Sequence, residues 1–269
     1  MIHGITGTRE YSGNVKLKKN CQGVIVSVTL YDQPSLNDQT HYHTNPHFGF
    51  TVQGGCIERK QDRYELAPGD ISYYMAGEKH QVVRVAKPSI RVNLEIEPPF
   101  IDAYQLTDTI IHKTATKDLA TKFLMVAIYH ELLTNQECSS LNIHQLVLAL
   151  FHQSKKIANE KSIPAWVPIV CDYLRAHGHE PLTLTDLARV AGVHPVTLSK
   201  YFARYVGCNL GHYIRQIRVE KSIGLIKATN ASMGSISYQC GFFDQSHFNR
   251  SFKEVNGILP GRYKKLEPR

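Results

Sequence analysis

The sequence has few of the residues that staple or embed a protein. It has one Trp, four Met and six Cys in 269 residues. The cysteines, at 21, 56, 138, 171, 208 and 240, form no close pair. That spacing excludes a disulfide framework or zinc finger and reads as reduced thiols of a cytoplasmic protein. No uninterrupted apolar stretch approaches the roughly 18 residues of a membrane-spanning helix, and the N-terminus shows no apolar run of the secretory kind. Acidic residues are the scarcer charge, with 23 Asp and Glu against 31 Lys and Arg. The excess is not spread evenly. From Ala165 onward 14 basic residues face 7 acidic ones, a net of +7, whereas the first 164 residues carry a net of +1.

What is present is a pattern written twice in the basic region. In the first copy, Leu187, Ala188 and Ala191-Gly192-Val193 lead to Leu198, Phe202 and Gly207 and close at Tyr213. In the second, Ile236 and Cys240-Gly241-Phe242 lead to Phe248, Phe252 and Gly257 and close at Tyr263, with one extra residue in the turn. Apolar residues at 184, 187, 188 and 191 share one face of a short helix that Gly192 ends. Pro195 suits the first turn of the next helix, where its missing N–H has no partner to lose. Leu198, Tyr201 and Phe202 are expected to face its core. Asn209 to about Ala228 reads as a connecting helix, whose 20 residues span about 30 Å. That is close to the roughly 34 Å of one DNA turn.

The spacing is that of two helix-turn-helix units. Val196, Thr197, Ser199 and Lys200 lie early in one second helix, and Gln245, Ser246, His247, Asn249 and Arg250 in the other. Residues there meet base edges. Gln and Asn pair bidentately with adenine and Arg with guanine, so the second copy is the better equipped to read sequence. A net positive domain fits a polyanion bound through its phosphates.

Residues 165 to 266 resemble the DNA-binding domain of the AraC/XylS family of transcription regulators. The likeness is densest at Gly241-Phe242, Asp244-Gln245-Ser246, Phe248, Arg250, Phe252-Lys253, Gly257, Pro260 and Tyr263. Ser237-Tyr238-Gln239-Cys240 and Leu259 depart from the usual pattern. The resemblance implies a regulator of transcription that binds double-stranded DNA, acts as a homodimer and contacts RNA polymerase.

The first hundred or so residues have another grammar. Short β-rich runs (23–31, 47–52, 55–59, 71–74, 81–85 and 89–96) are separated by Gly, Pro, Asn and Asp, which suggests a barrel or jelly roll. Tyr64 to Ile71, containing Pro68-Gly69-Asp70, and Ala76-Gly77-Glu78-Lys79-His80 resemble the second motif of the cupin superfamily. His41-Tyr42-His43, His47 and Gly54 resemble the first, with His47 in the slot usually held by Glu. The resemblance places His41, His43, His47 and His80 on the metal-binding positions of cupin enzymes. Imidazoles on alternate residues of a strand point the same way and suit a divalent transition metal. Met75 in place of the usual Pro, and the exchanged Glu, equally fit a pocket without metal. For an organic effector the expected lining is Phe48, Phe50, Tyr73 and Arg91.

Residues 117–134 and 141–156 read as helices, either a dimer contact or packing on the barrel. The expected fold is therefore α+β in two domains. A cupin-like barrel (1–106), a helical and dimerising element (107–152) and a linker (153–164) precede an all-α double helix-turn-helix domain (165–269). The expected function is a DNA-binding regulator, not an enzyme, whose barrel senses a small molecule or metal. The alternative is a metal-dependent cupin enzyme, of dioxygenase or isomerase type, with an appended DNA-binding domain.

Overall fold

A computed structural model describes residues 13–32, 40–117, 119–134, 137–158 and 163–268. Six strands come first: β1 (Asn14–Asn20), β2 (Val24–Tyr31), β3 (His47–Arg59), β4 (Arg63–Leu66), β5 (Ile71–Tyr74) and β6 (Gln81–Ile96). They form one antiparallel sheet in the order β1-β2-β6-β3-β4, with β5 also on β3. Among the described residues the pairing runs from an edge at β1 to an edge at β4 and β5 and does not close into a ring. Two runs expected as separate strands, 47–52 and 55–59, are one strand, as are 81–85 and 89–96. The breaks are bulges, where the β3–β6 register shifts between Thr51 and Gln53 and again between Gln53 and Gly55. A bulge bends a strand without ending it.

Strand periodicity divides the sheet into two faces, both buried. On one lie Val24, Val26 and Val28 of β2, Val92, Leu94 and Ile96 of β6, and Phe48 and Phe50 of β3. This apolar face packs on helices, with Phe48 against Phe151 at 6.3 Å between ring centroids. The opposite face carries Ser27, Thr29, Ser72, Arg91, Asn93, Glu95, His47 and Thr51, all buried. Polar side chains on both β2 and β6 line up because opposed residues of an antiparallel pair share a face: Ser27 faces Asn93, and Thr29 faces Arg91.

The helices that follow are α1 (Pro98–Ala103), α2 (Asp108–Lys117), α3 (Leu119–Thr134) and α4 (Ser139–Ala158). Helix α1 was not expected, whereas α2 lies within the stretch 107–152 expected to be helical, ahead of the helix expected at 117–134. Helix α4 extends into the span read as linker, of which 159–162 lie outside the described residues. Helix α3 buries Phe123, Met125, Val126, Ile128, Tyr129 and Leu132, positions that surround the helix rather than forming one stripe. It lies between α4 on one side and the C-terminal helices on the other.

The C-terminal part is all-helical: α5 (Trp166–His177), α6 (Leu184–Ala191), α7 (Pro195–Val206), α8 (Leu210–Ala228), α9 (Met233–Gln239), α10 (Gln245–Asn256) and α11 (Pro260–Lys264). It holds two hydrophobic clusters. Val170, Leu174, Leu187, Leu198, Phe202, Tyr213 and Ile217 form one around the first repeat. Ile236, Phe242, Phe248, Phe252 and Tyr263 of the second repeat belong to the cluster that also contains the apolar sheet face and α3. Helix α8 joins the two, contributing Ile217 to the first and Val219, Ile223 and Ile226 to the second. At Gly224 this helix touches the β4–β5 turn so closely that a Cβ there would lie 2.5 Å from the Pro68 carbonyl oxygen. No described helix is long and apolar enough to cross a membrane.

Candidate DNA-binding surface and histidine cluster

The repeat is built alike in three dimensions. Each second helix opens on a side-chain cap: the His194 ring accepts from the Val196 N–H at 3.3 Å, and the Asp244 carboxylate from the His247 N–H at 2.6 Å. Such caps satisfy amides that the first helical turn leaves without partners. Each ends on a glycine in the left-handed region, Gly207 at φ 82° and Gly257 at φ 75°, a conformation a Cβ would penalise. Leu198 and Phe248 occupy one buried position, Phe202 and Phe252 the next. The closing tyrosines pack on those phenylalanines, Tyr213 on Phe202 at 5.6 Å and Tyr263 on Phe252 at 5.9 Å. Two expected core positions are exposed instead. Tyr201 lies at the surface with the Lys200 ammonium over its ring, and Leu184 is at the helix edge.

The outward residues are placed as their spacing requires. Val196, Ser199 and Lys200 are exposed and Thr197 half-buried; Gln245, Ser246 and Arg250 are exposed, and His247 and Asn249 half-buried. The His247 ring packs edge-on against Phe242 at 5.4 Å. The extra residue of the second turn is Phe243, 87% exposed immediately before the cap of α10. The sequence repeat reveals the insertion but not its exposure. Helix α8 has 19 residues, about 28 Å at 1.5 Å each.

In the sheet domain, the Pro68-Gly69-Asp70 turn forms as the motif implies. The Asp70 carboxylate accepts from the Ala67 N–H at 2.9 Å, and the Asp70 carbonyl from the Thr51 N–H at 2.9 Å. His41 and His80 pair as an isolated antiparallel bridge, with each N–H donating to the other's carbonyl at 2.9 Å. Their rings converge with that of His43, so that one nitrogen from each lies within 4.8 Å of the others. His47, the fourth expected ligand, stacks on His43 at 3.9 Å and stands outside that group.

The electrostatics keep His43, His47 and His80 neutral. Burial lowers the His43 pKa to about 3, reinforced by His80, His41 and Arg91. Burial and His41 take His80 to about 3 as well. His47 is pushed well below 6.5 by burial first and His43 next. The Glu78 carbonyl, 3.2 Å from His80 Nδ1, accepts its proton and leaves Nε2 as the lone-pair nitrogen. Neutral imidazoles with the second nitrogen so tied are the form that binds metal. Two nitrogens on one tetrahedral ion lie about 3.4 Å apart at bond lengths near 2.1 Å, so small ring rotations let these three fit one.

Arg91 anchors the rest of the polar face. Its Nη1 donates to Glu58 Oε1 at 2.5 Å and its Nη2 to Ser72 Oγ at 2.8 Å, while Tyr64 donates to the other Glu58 oxygen at 3.0 Å. Arg91 Nε and Thr51 Oγ1 are buried without a hydrogen-bond partner. Of the expected effector lining, only Arg91 is on this face. Phe48, Phe50 and Tyr73 point to the opposite one, with Tyr73 against Phe48 at 5.0 Å. Glu58, Ser72, Asn93 and Thr51 were not anticipated. Thr51 opposes Arg91 in the β3–β6 register, Asn93 follows it by two on β6, and Glu58 and Ser72 meet its guanidinium, a set that no single strand reveals.

A helix-turn-helix domain family matches residues 187–266. An uncharacterized HTH-type transcriptional regulator of Staphylococcus aureus is 28% identical over 181 residues, which cover 63% of this chain but 24% of that protein. The chain thus spans about a quarter of that relative. The HTH-type transcriptional regulator YpdC of Escherichia coli K12 is 24% identical over 225 residues, covering 78% of this chain and 77% of its own. The solved structure of ToxT from Vibrio cholerae aligns over 90% of this chain and 98% of its own, at 18% identity and a TM-score of 0.36. With the capped repeat, its paired aromatic anchors and the matched span in register, residues 187–266 of this chain form a domain of the helix-turn-helix family.

Proposed function

We propose that the protein is a sequence-specific DNA-binding transcription regulator whose sheet domain takes a ligand on its polar inner face. The observation that carries the ligand-sensing half is the segregation of the sheet. A face serving only stability would be apolar like its opposite, since each buried polar group without a full set of partners costs about 1–3 kcal/mol. Here Arg91 Nε and Thr51 Oγ1 stay unpartnered beside a cluster of neutral imidazoles. An effector accepting from Arg91 and donating to Thr51 would recover those bonds.

His41, His43 and His80 would hold a divalent transition metal, with His47 stacked behind His43 as a support rather than a ligand. Such an ion supplies a positive anchor for an oxygen of the effector. Gln245, Asn249 and Arg250 would read bases from α10, and Val196, Thr197, Ser199 and Lys200 would contact a second groove segment from α7. Ser246 and His247 complete the α10 surface, His247 chiefly by positioning. By linkage, an effector changes DNA affinity only if it binds one arrangement of the domains better than another.

The experiment is selection of bound duplexes from a random library by the full chain, followed by footprinting of the Arg250→Ala and Gln245→Ala variants. Each should relax preference at particular bases, at about 1–3 kcal/mol per lost bidentate pair. Footprints indistinguishable from wild type would contradict the assignment of α10. Elemental analysis of the purified protein and of a His43→Ala/His80→Ala variant tests the cluster: near one ion per chain, lost in the variant, is the expected result.

A further inference from the structure

A cavity of about 290 Å³ lies outside the sheet, where the β4–β5 turn and α3 meet α5 and α8. Its wall carries Lys122, Arg175, Arg218 and Lys221, with Asp70 and Glu220 as its acids. Both acids are engaged by one cation. Lys122 pairs with Glu220 and lies 3.9 Å from Asp70. Arg175 holds Asp172 at 3.0 Å, outside the cavity lining. Among the described residues, no carboxylate lies within ion-pair distance of Arg218 or Lys221.

Arg218 and Lys221 stand three apart on α8, adjacent on the helix surface, where like charges repel. Arg218 is half-buried, and burial pushes its pKa down. Its guanidinium donates to the Gly178 carbonyl at 2.8 Å and the Glu180 carbonyl at 3.4 Å. The loop so held touches the second repeat, since a Cβ on Gly241 would meet the His179 carbonyl oxygen at 2.3 Å. The cavity therefore adjoins the sheet domain, the first repeat and, through this loop, the turn of the second. These cations line the cavity beside the β4–β5 turn, and none of them is among the outward residues of α7 and α10.

We propose that this cavity binds a small multivalent oxyanion, of the phosphate or polycarboxylate class, and that its occupancy sets how the first helix-turn-helix stands on the sheet domain. The volume is ample for a phosphate ester or a tricarboxylate, and the four basic side chains on its wall select for negative charge. An oxyanion between Lys221, Arg218 and Arg175 would relieve the α8 repulsion and tie α5 to α8. The coupling to DNA, though not the binding itself, rests on the DNA-reading role proposed above.

The test is calorimetric titration of the full chain with inorganic phosphate and, separately, citrate, with KCl holding ionic strength constant. Saturable binding is expected for at least one of them, and the identity of the binder tells phosphate from carboxylate. Arg175→Gln/Lys221→Gln should weaken it about tenfold or more, whereas Lys200→Gln/Arg250→Gln, on the reading surface, should leave it intact. Lys221→Gln alone changes one exposed residue and serves if the double variant unfolds. No saturable heat from either anion, or binding that survives in the cavity variants, overturns the site. Anisotropy with a selected duplex reads the coupling separately. The binding anion should move DNA affinity about threefold or more in the wild type and not in Lys221→Gln. An equal change in both proteins would be bulk screening and would overturn the coupling alone.

Discussion

Arg91 sits on the inner face of β6 with its cation held by Glu58, and the two are 5% and 0% exposed. A pair so buried is fragile toward loss of one partner, because the survivor keeps its desolvation cost without its compensation. Glu58→Gln should therefore destabilise the chain by about 3–5 kcal/mol, read as a lower urea midpoint at unchanged slope; a loss below about 1 kcal/mol would mean that water reaches Arg91. The histidines give a second prediction at this scale. His43 and His80 titrate near 3 in the folded chain and near 6.5 unfolded, and His47 shifts the same way. Above pH 6.5 both states are neutral and the shift is without effect. Between about 6.5 and 3 only the unfolded chain takes up protons, so stability falls with pH, by up to about 1.4 kcal/mol per unit for each buried ring. Denaturation midpoints from pH 7.5 to 4.5 should show this fall, and His80→Asn should flatten it. Arg91 was legible as an inner residue, but Phe48, Phe50 and Tyr73 were not legible as outer ones. Alternation says which residues share a face, and when both faces are buried it does not say which one encloses the polar groups.

At the scale of elements, the caps decide how α7 and α10 begin. Asp244 caps α10 with a carboxylate at 2.6 Å, which also complements the helix dipole, whereas the His194 ring caps α7 at the longer distance of 3.3 Å. Asp244→Ala should cost about 1 kcal/mol and blur the α10 footprint by fraying the turn that carries Gln245 and Ser246. His194→Ala should cost less. An equal cost at both sites would contradict this ranking. The helices of the C-terminal domain were legible because local signals mark both ends: cap, proline and glycine stand in the sequence itself. The strands were less so. Gly54-Gly55 and Pro88 read as ends but are places where long strands bend, and only the partner strand, paired across the bulge, shows that β3 and β6 continue. Helix α1 escaped because its six residues hold one buried anchor, Phe100, too few to show a helical period. His41, His43 and His80 converge as their spacing suggests, whereas His47 is placed by stacking on His43, which spacing does not encode.

For the whole molecule, the basic excess of residues 165–269 divides by direction. Lys227 is turned inward, donating to the Lys264 and Leu266 carbonyls at 3.1 and 2.7 Å, and burial lowers its pKa to about 8. Arg218 and Lys221 face the cavity beside the sheet domain. Fewer cations than the net charge suggests are then free to meet phosphates. Lys200→Gln should reduce the slope of log affinity against log salt by about 0.9, and Lys221→Gln should leave the slope unchanged. A change of slope in Lys221→Gln would place that residue on the DNA.

The hydrophobic cluster that runs from the sheet through α3 into the second repeat has a consequence for modularity. Chain order puts the break between modules near residue 164, but the core passes across it: α3 packs on α8 and α10, and the Tyr129 hydroxyl donates to the Leu266 carbonyl at 3.2 Å, near the far end of the chain. A fragment cut at the linker would bare the apolar flank of α8 and α10, and a chimera joined there would inherit two surfaces shaped for other partners. Grafting a new input domain onto this DNA-reading unit therefore requires transplanting the face of α3 and the Pro68-Gly69 turn that receives Gly224, because the seam of the folded protein is not the seam of its sequence.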